Sequence, residues 1–202
     1  WKIALFFRRM RTLLAPPISR RTKALQPNIT DIPFTETGEN RELDENMALV
    51  RSSGLFDETS FNKIEVRGPG ALTFMQYMCA NNMDRPEGTV IYSQMLNPRG
   101  GIEADVTVTR RAEDRFFIIT GTALGVHDIS WIRLHMPEDG SVILDDVTSA
   151  YACLGLWGPK ARKVLEKITT EDVSNQALPY LHAKTIYFNG VPIWAQRVSY
   201  VG

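Results

Sequence analysis

Tyr92 and Asp105 lie thirteen residues apart in "YSQMLNPRGGIEADVTVTR", which reads as two strands around the turn "NPRGG". In the second strand Glu103, Asp105, Thr107 and Thr109 share one face, and Ile102, Ala104, Val106 and Val108 share the other. Successive strand side chains point to opposite faces, so this alternation sorts them. An aspartate at its reference pKa of ~3.9 is ionised at neutral pH. It can take up a proton or stabilise positive charge as a bond forms. A tyrosine offers a flat apolar ring with a hydroxyl at its tip, which suits a flat ligand. Periodicity alone fits a blander reading equally well: a half-buried sheet with a solvated polar face, and a strand tyrosine packed in the core.

The elements that would position these residues follow from pattern. "ENRELDENMALVRSSG" sets Leu43, Met47 and Val50 at helical spacing, with Gly54 beyond. "NKIEVRG" alternates as a strand, and "PGALTFMQYMCANN" opens on Pro69 and carries Leu72, Met75, Met78 and Cys79 on one helical stripe. "RFFIIT", "SVILDDV" and "AYACLGLWG" read as strands. "TALGVHDISWIRLHM" reads as a helix with Val126, Ile129, Ile132 and Met136 inward, and "GPKARKVLEKI" as a helix opening on Pro159. Asn189-Gly190 marks a hairpin turn in "KTIYFNGVPIWAQRVSY". The link between Leu96 and Ile102 is too short for a parallel crossover, so those strands pair antiparallel. The expected class is α+β, with helices packed on a largely antiparallel sheet.

The 202 residues, 44% hydrophobic and 23% charged, are ordinary for a soluble globular chain. A formal net charge of zero argues against a nucleic-acid partner, and no apolar run approaches the ~20 residues that span a bilayer. Cys79 and Cys153 sit inside apolar runs and read as buried free thiols, which suits a reducing compartment, cytoplasm or mitochondrial matrix. None of His127, His135 and His182 has ligand spacing to a cysteine or another histidine, so no metal site is expected. His127-Asp128 reads as a solvated or capping pair early in a helix, Asp145-Asp146 as a turn or cap, and Trp131 and Trp157 as core. No G-x-G-x-x-G follows a strand and no Walker A loop occurs. Residues 1–40 hold seven basic residues before the first acid, with Pro16-Pro17 breaking any helix, and read as a poorly ordered basic tail and linker. A targeting presequence or a membrane-surface helix are the competing readings. Residues 41–202 form the expected folded domain, and the chain reads as a piece of a longer polypeptide.

The ordered motifs "YSQMLNPRGGIEADVTVTR", "RFFIITGTALGVHDISWI", "LGLWGPKARKVLEKIT", "EDVSNQALPYL" and "RVSYVG" resemble the folate-binding part of the aminomethyltransferase family, which includes the glycine-cleavage T-protein. "GLFDETSFNKIEVRGPGA" and "DVTSAYACLGLWGPKA" are nearer to the C-terminal part of sarcosine and dimethylglycine dehydrogenases. The resemblance runs from about Leu43 to Gly202. It implies a T-protein-like folate-binding domain, incomplete at its C-terminus, that binds tetrahydrofolate and accepts a one-carbon unit from an N-methyl amine. Asp105 stands at the catalytic aspartate, Val106 and Thr107 at positions lining the folate site, and Tyr92 and Tyr200 at folate-contacting tyrosines. FAD would enter only through a domain not present in this chain, as a partner domain or subunit. Three positions depart from the T-protein pattern: Ala104 replaces a second aspartate, Thr109 a tyrosine, and Gly121 an asparagine. A Glu-Leu-Gly-x-Glu motif that follows "SY.G" in the family lies beyond Gly202. The departures favour the dehydrogenase branch. A non-catalytic folate-binding or regulatory domain, or an inactive fragment, is the alternative.

Overall fold

The computed structural model describes residues 2–8 and 52–199. The expected helix at Leu43–Val50 lies outside them. Among the described residues ten strands form two five-stranded antiparallel sheets. The first runs β2 (Gly54–Asp57), β8 (Tyr151–Trp157), β1 (Lys2–Arg8), β10 (Val191–Arg197) and β9 (His182–Phe188). The second runs β4 (Val90–Leu96), β5 (Ile102–Ala112), β6 (Arg115–Thr120), β3 (Asn62–Arg67) and β7 (Ile143–Asp146). Three short helices complete the described part: α1 (Ala71–Met78), α2 (Gly125–Leu134) and α3 (Ala161–Leu165). The α+β class with antiparallel pairing holds; the sheet content is two layers rather than one.

Three apolar clusters explain the layering. The helices α1 and α2 cover one face of the second sheet, where Met75, Ile132, Ala104, Val106, Phe116 and Ile118 meet. Helix α3 covers the outer face of the first sheet with Ala161 and Leu165 against Ile3, Leu5 and Ile193. Between the sheets lie Ala4, Phe6, Phe117, Ile119 and Cys153. Strands β1 and β6 therefore bury both faces. Ile3 and Leu5 point one way and Ala4 and Phe6 the other, as Phe116 and Ile118 oppose Phe117 and Ile119. Burial on both faces calls for an unbroken apolar run, which "KIALFF" and "RFFII" supply.

This corrects the reading of residues 1–40 as a poorly ordered tail where it touches Lys2–Arg8. That segment is an inner strand, paired with β8 on one side and β10 on the other. Its apolar run outweighs the flanking basic residues. Val126, expected inward on α2, is 85% exposed. The buried stripe runs Gly125, Asp128, Ile129 and Ile132, and Val126 stands about 100° around the helix from Gly125. A 3₁₀ turn over Thr122–Leu124 precedes α2. The β9–β10 hairpin turns at Asn189 and Gly190 with φ of 47° and 79°, the left-handed pair its sequence calls for.

Cys79 and Cys153 are buried and free. Burial pushes both thiols up to about 12, where the reactive thiolate is scarce. At pH 8 a disulfide reagent is expected to label neither thiol of the native chain within minutes, and both after denaturation. Prompt labelling of the folded chain would contradict this burial.

Candidate functional site

The β4–β5 hairpin sets the site by register. Tyr92 pairs with Thr107 and Gln94 with Asp105, so Tyr92 and Asp105 are diagonal neighbours on one face. The turn between the strands is closed by Asn97, whose Oδ1 accepts the backbone N–H of Arg99 and of Gly101, both at 3.0 Å. Tyr92 Oη donates to Asp105 Oδ2 at 2.9 Å, and Gln94 Nε2 donates to Asp105 Oδ1 at 3.3 Å. Each carboxylate oxygen thus holds one neutral donor and keeps a lone pair for a ligand. The bond to Asp105 raises the Tyr92 phenol above its ordinary value, so the hydroxyl stays protonated and goes on donating. Asn81 braces the strand, its Nδ2 donating to the Tyr92 carbonyl at 3.0 Å.

Further along β5 the same polar face is closed. Thr107 and Thr109 are buried, and Gln196 of β10 donates to Thr109 Oγ1 at 2.9 Å. Arg111 lies over the Trp194 ring at 4.3 Å from its centroid, a second tie between the sheets. Toward Asp105 the inter-sheet core ends, and a cavity of about 1020 Å³ opens. Its walls come from both sheets: Tyr92, Asp105, Thr107 and Ile119 on one side, Leu181, His182 and Val198 on the other. Asn81, Arg85, Tyr92, Asp105, Thr107 and His182 contribute polar groups to the lining, while Val90, Ile119 and Leu181 give apolar walls. Such a mix is the usual make-up of a small-molecule site.

Four of the five residues expected from the sequence therefore border one cavity: Tyr92, Asp105, Val106 and Thr107. The Val106 side chain itself packs into the core under α1 and α2. Tyr200 lies outside the described residues; its neighbour Ser199 borders the cavity. Ala104 is buried in the helix-side core, and Thr109 faces Gln196 rather than the cavity.

Sequence reasoning missed three contributors. Gln94 was recoverable from the hairpin register once Tyr92 and Asp105 were placed on one face. Thr120 and Asp128 were not, because they meet only in the fold. Asp128, expected solvated or capping, is 1% exposed and accepts the Thr120 hydroxyl proton. Asp145 accepts from Arg67 Nε at 3.0 Å, and Asp146 accepts the Thr148 N–H at 3.0 Å, as a turn pair should.

Two stacked antiparallel sheets with an acid–phenol pair at the cavity between them define an α+β domain. The chain belongs to the family described as the GCVT N-terminal domain, which matches residues 1–202. It is 33% identical over 155 residues to mitochondrial dimethylglycine dehydrogenase of Rattus norvegicus, covering 76% of this chain and 18% of that protein. It is 33% identical over 159 residues to the aminomethyltransferase of Chlorobium luteolum, covering 78% of this chain and 43% of that one. The fold is that of glycine cleavage system aminomethyltransferase T from Bartonella henselae, with a TM-score of 0.61 at 23% identity over 76% of this chain and 44% of the other. The chain thus spans less than half the length of these relatives. Among the described residues no helix is long and apolar enough to cross a membrane.

Proposed function

We propose that the domain binds tetrahydrofolate in the cavity beside Asp105 and presents it to a one-carbon unit derived from an N-methyl amine such as dimethylglycine or sarcosine. The observation that carries this reading is the Asp105 carboxylate at the mouth of an apolar-walled cavity, held by Tyr92 and Gln94 with one lone pair per oxygen unspent. The pterin ring is flat, apolar on its faces and rich in N–H on its edge, and these walls fit that chemistry. When bound, the reduced folate supplies the nucleophilic nitrogen that captures the one-carbon unit.

The chain's own residues do the rest. Asp105 orients the ring edge and takes up the proton that the nitrogen loses as its new bond forms. Its charge also stabilises positive charge at that nitrogen. Tyr92 fixes the carboxylate rotamer, and Thr107 adds a hydroxyl to the same wall. Oxidation of the amine requires a flavin domain or subunit as partner; the rat relative's name as a dehydrogenase supports the oxidation step itself. The compartment that fits free buried thiols and a mitochondrial relative is the mitochondrial matrix, with bacterial cytoplasm as the other setting.

Calorimetric titration of the chain with a stable reduced folate tests the reading. Saturable one-to-one binding is expected, and Tyr92→Phe should weaken it by roughly twofold to tenfold, the loss of one net hydrogen bond. No heat of binding at millimolar ligand would remove the folate reading and leave the fold alone.

A further inference from the structure

The end of the cavity wall at Thr120 and Gly121 is held by a chain of side chains that the folate reading does not use. Asn97, which builds the β4–β5 turn, donates through Nδ2 to Glu103 Oε1 at 2.8 Å. Glu103 Oε2 lies 3.4 Å from His127 Nε2. His127 Nδ1 lies 3.1 Å from Asp128 Oδ1. Asp128 Oδ2 accepts a hydrogen bond from the hydroxyl of Thr120, a residue of the cavity wall. The chain thus runs from the turn, through β5 two residues before Asp105, across the first turn of α2, and back to the end of β6.

The imidazole is the link that decides the state of this chain. It faces a carboxylate at each nitrogen, Glu103 from β5 and Asp128 from its own helix. A neutral imidazole carries one N–H and one lone pair, so it satisfies one carboxylate and sets its lone pair against the other. An imidazolium donates to both. Asp128 is 1% exposed and is tied to Thr120, and Glu103 is tied to Asn97, so neither can readily turn away. A cation in the first turn of a helix also opposes the helix dipole, and only the two carboxylates compensate for that.

We propose that His127, as imidazolium, is a positioning residue that clamps the Asp105-bearing strand to the Thr120–Gly121 wall, so that the wall is held while the imidazole is protonated and loosened when it loses that proton. The direction of its titration agrees: Asp128 first, then Glu103, raise His127 above its ordinary value. The sign follows from that direction. The stabilisation is complete below the unfolded value of ~6.5 and is lost as pH rises through the higher folded value. The clamp concerns the wall itself and does not rest on which ligand the cavity takes.

Two-dimensional NMR of the full chain without ligand tests this. His127 is expected to titrate above ~6.5, and the amides of Thr120, Gly121 and Asp105 should follow with the same midpoint. His127→Gln should abolish that shared step. Glu103→Gln, which leaves Asp128 in place, should lower the midpoint without flattening it. A purely structural His127 would leave those amides flat through its titration, and that result, or a midpoint at or below ~6.5, overturns the clamp. A second arm measures reduced-folate affinity across the same range. It should weaken by roughly threefold to tenfold above the midpoint in the native chain and stay level in His127→Gln. Affinity that is level in the native chain counts against the clamp. Absence of folate binding at every pH removes the proposed ligand and leaves the amide titration to decide.

Discussion

Asp105→Asn should weaken reduced-folate binding by roughly tenfold to a hundredfold, the range for losing a hydrogen bond to a charged group. The substitution keeps the shape of the side chain and an oxygen that can accept from Tyr92. It removes the charge and turns one acceptor into a donor. Binding falls because an N–H on the ligand edge then meets an N–H of the protein. Transfer should fall further than binding, since the amide cannot take up a proton. The fold should hold: Asp105 is exposed, and its side-chain partners are the equally exposed Tyr92 and the half-buried Gln94. Surface substitutions of this kind stay within about 0.5 kcal/mol. Calorimetric titration gives the affinity, and denaturant unfolding of the same variant separates lost binding from lost fold. Unchanged affinity would place the ligand's polar edge elsewhere.

Phe117→Ala should destabilise the chain by about 3–5 kcal/mol, a large share of the 5–15 kcal/mol typical of a domain. Phe117 is 0% exposed and sits where the two sheets meet. Its ring packs edge-on against Phe6 of β1 at 5.4 Å and against Tyr151 of β8 at 5.6 Å. Truncation leaves a cavity that neither sheet can fill, because β6 and β1 carry well-packed apolar side chains on their other faces. The denaturation midpoint should fall with little change in slope. A loss under about 1 kcal/mol would mean that the sheets are not joined through this ring.

How much of this was legible in the sequence differs by element. The β4–β5 hairpin was readable because strict alternation and a short turn fix pairing and register together. Its catalytic reading was not, since the same alternation describes a wet sheet face; family resemblance supplied that weight. The Asn189-Gly190 turn was readable because few residues accept left-handed backbone. Strand β1 was missed because its apolar run is short and flanked by Arg8, Arg9 and Arg11, and only the partners β8 and β10, distant in sequence, show that it is an inner strand. Val126 was misjudged because the first turn buries Gly125 and Asp128 in its place, while Ile129 and Ile132 face inward as expected. The burial of Asp128 was invisible for a different reason: its partner Thr120 belongs to another element, and no spacing rule joins a strand end to the helix after it.

The most direct test is a crystal structure of the chain grown with a stable reduced folate. The pterin is expected in the cavity between the sheets, its edge within hydrogen-bond distance of Asp105 Oδ1 or Oδ2 and its face against Tyr92. A pterin bound on an outer sheet face, or seated in the cavity with Asp105 turned to bulk water, would contradict this expectation.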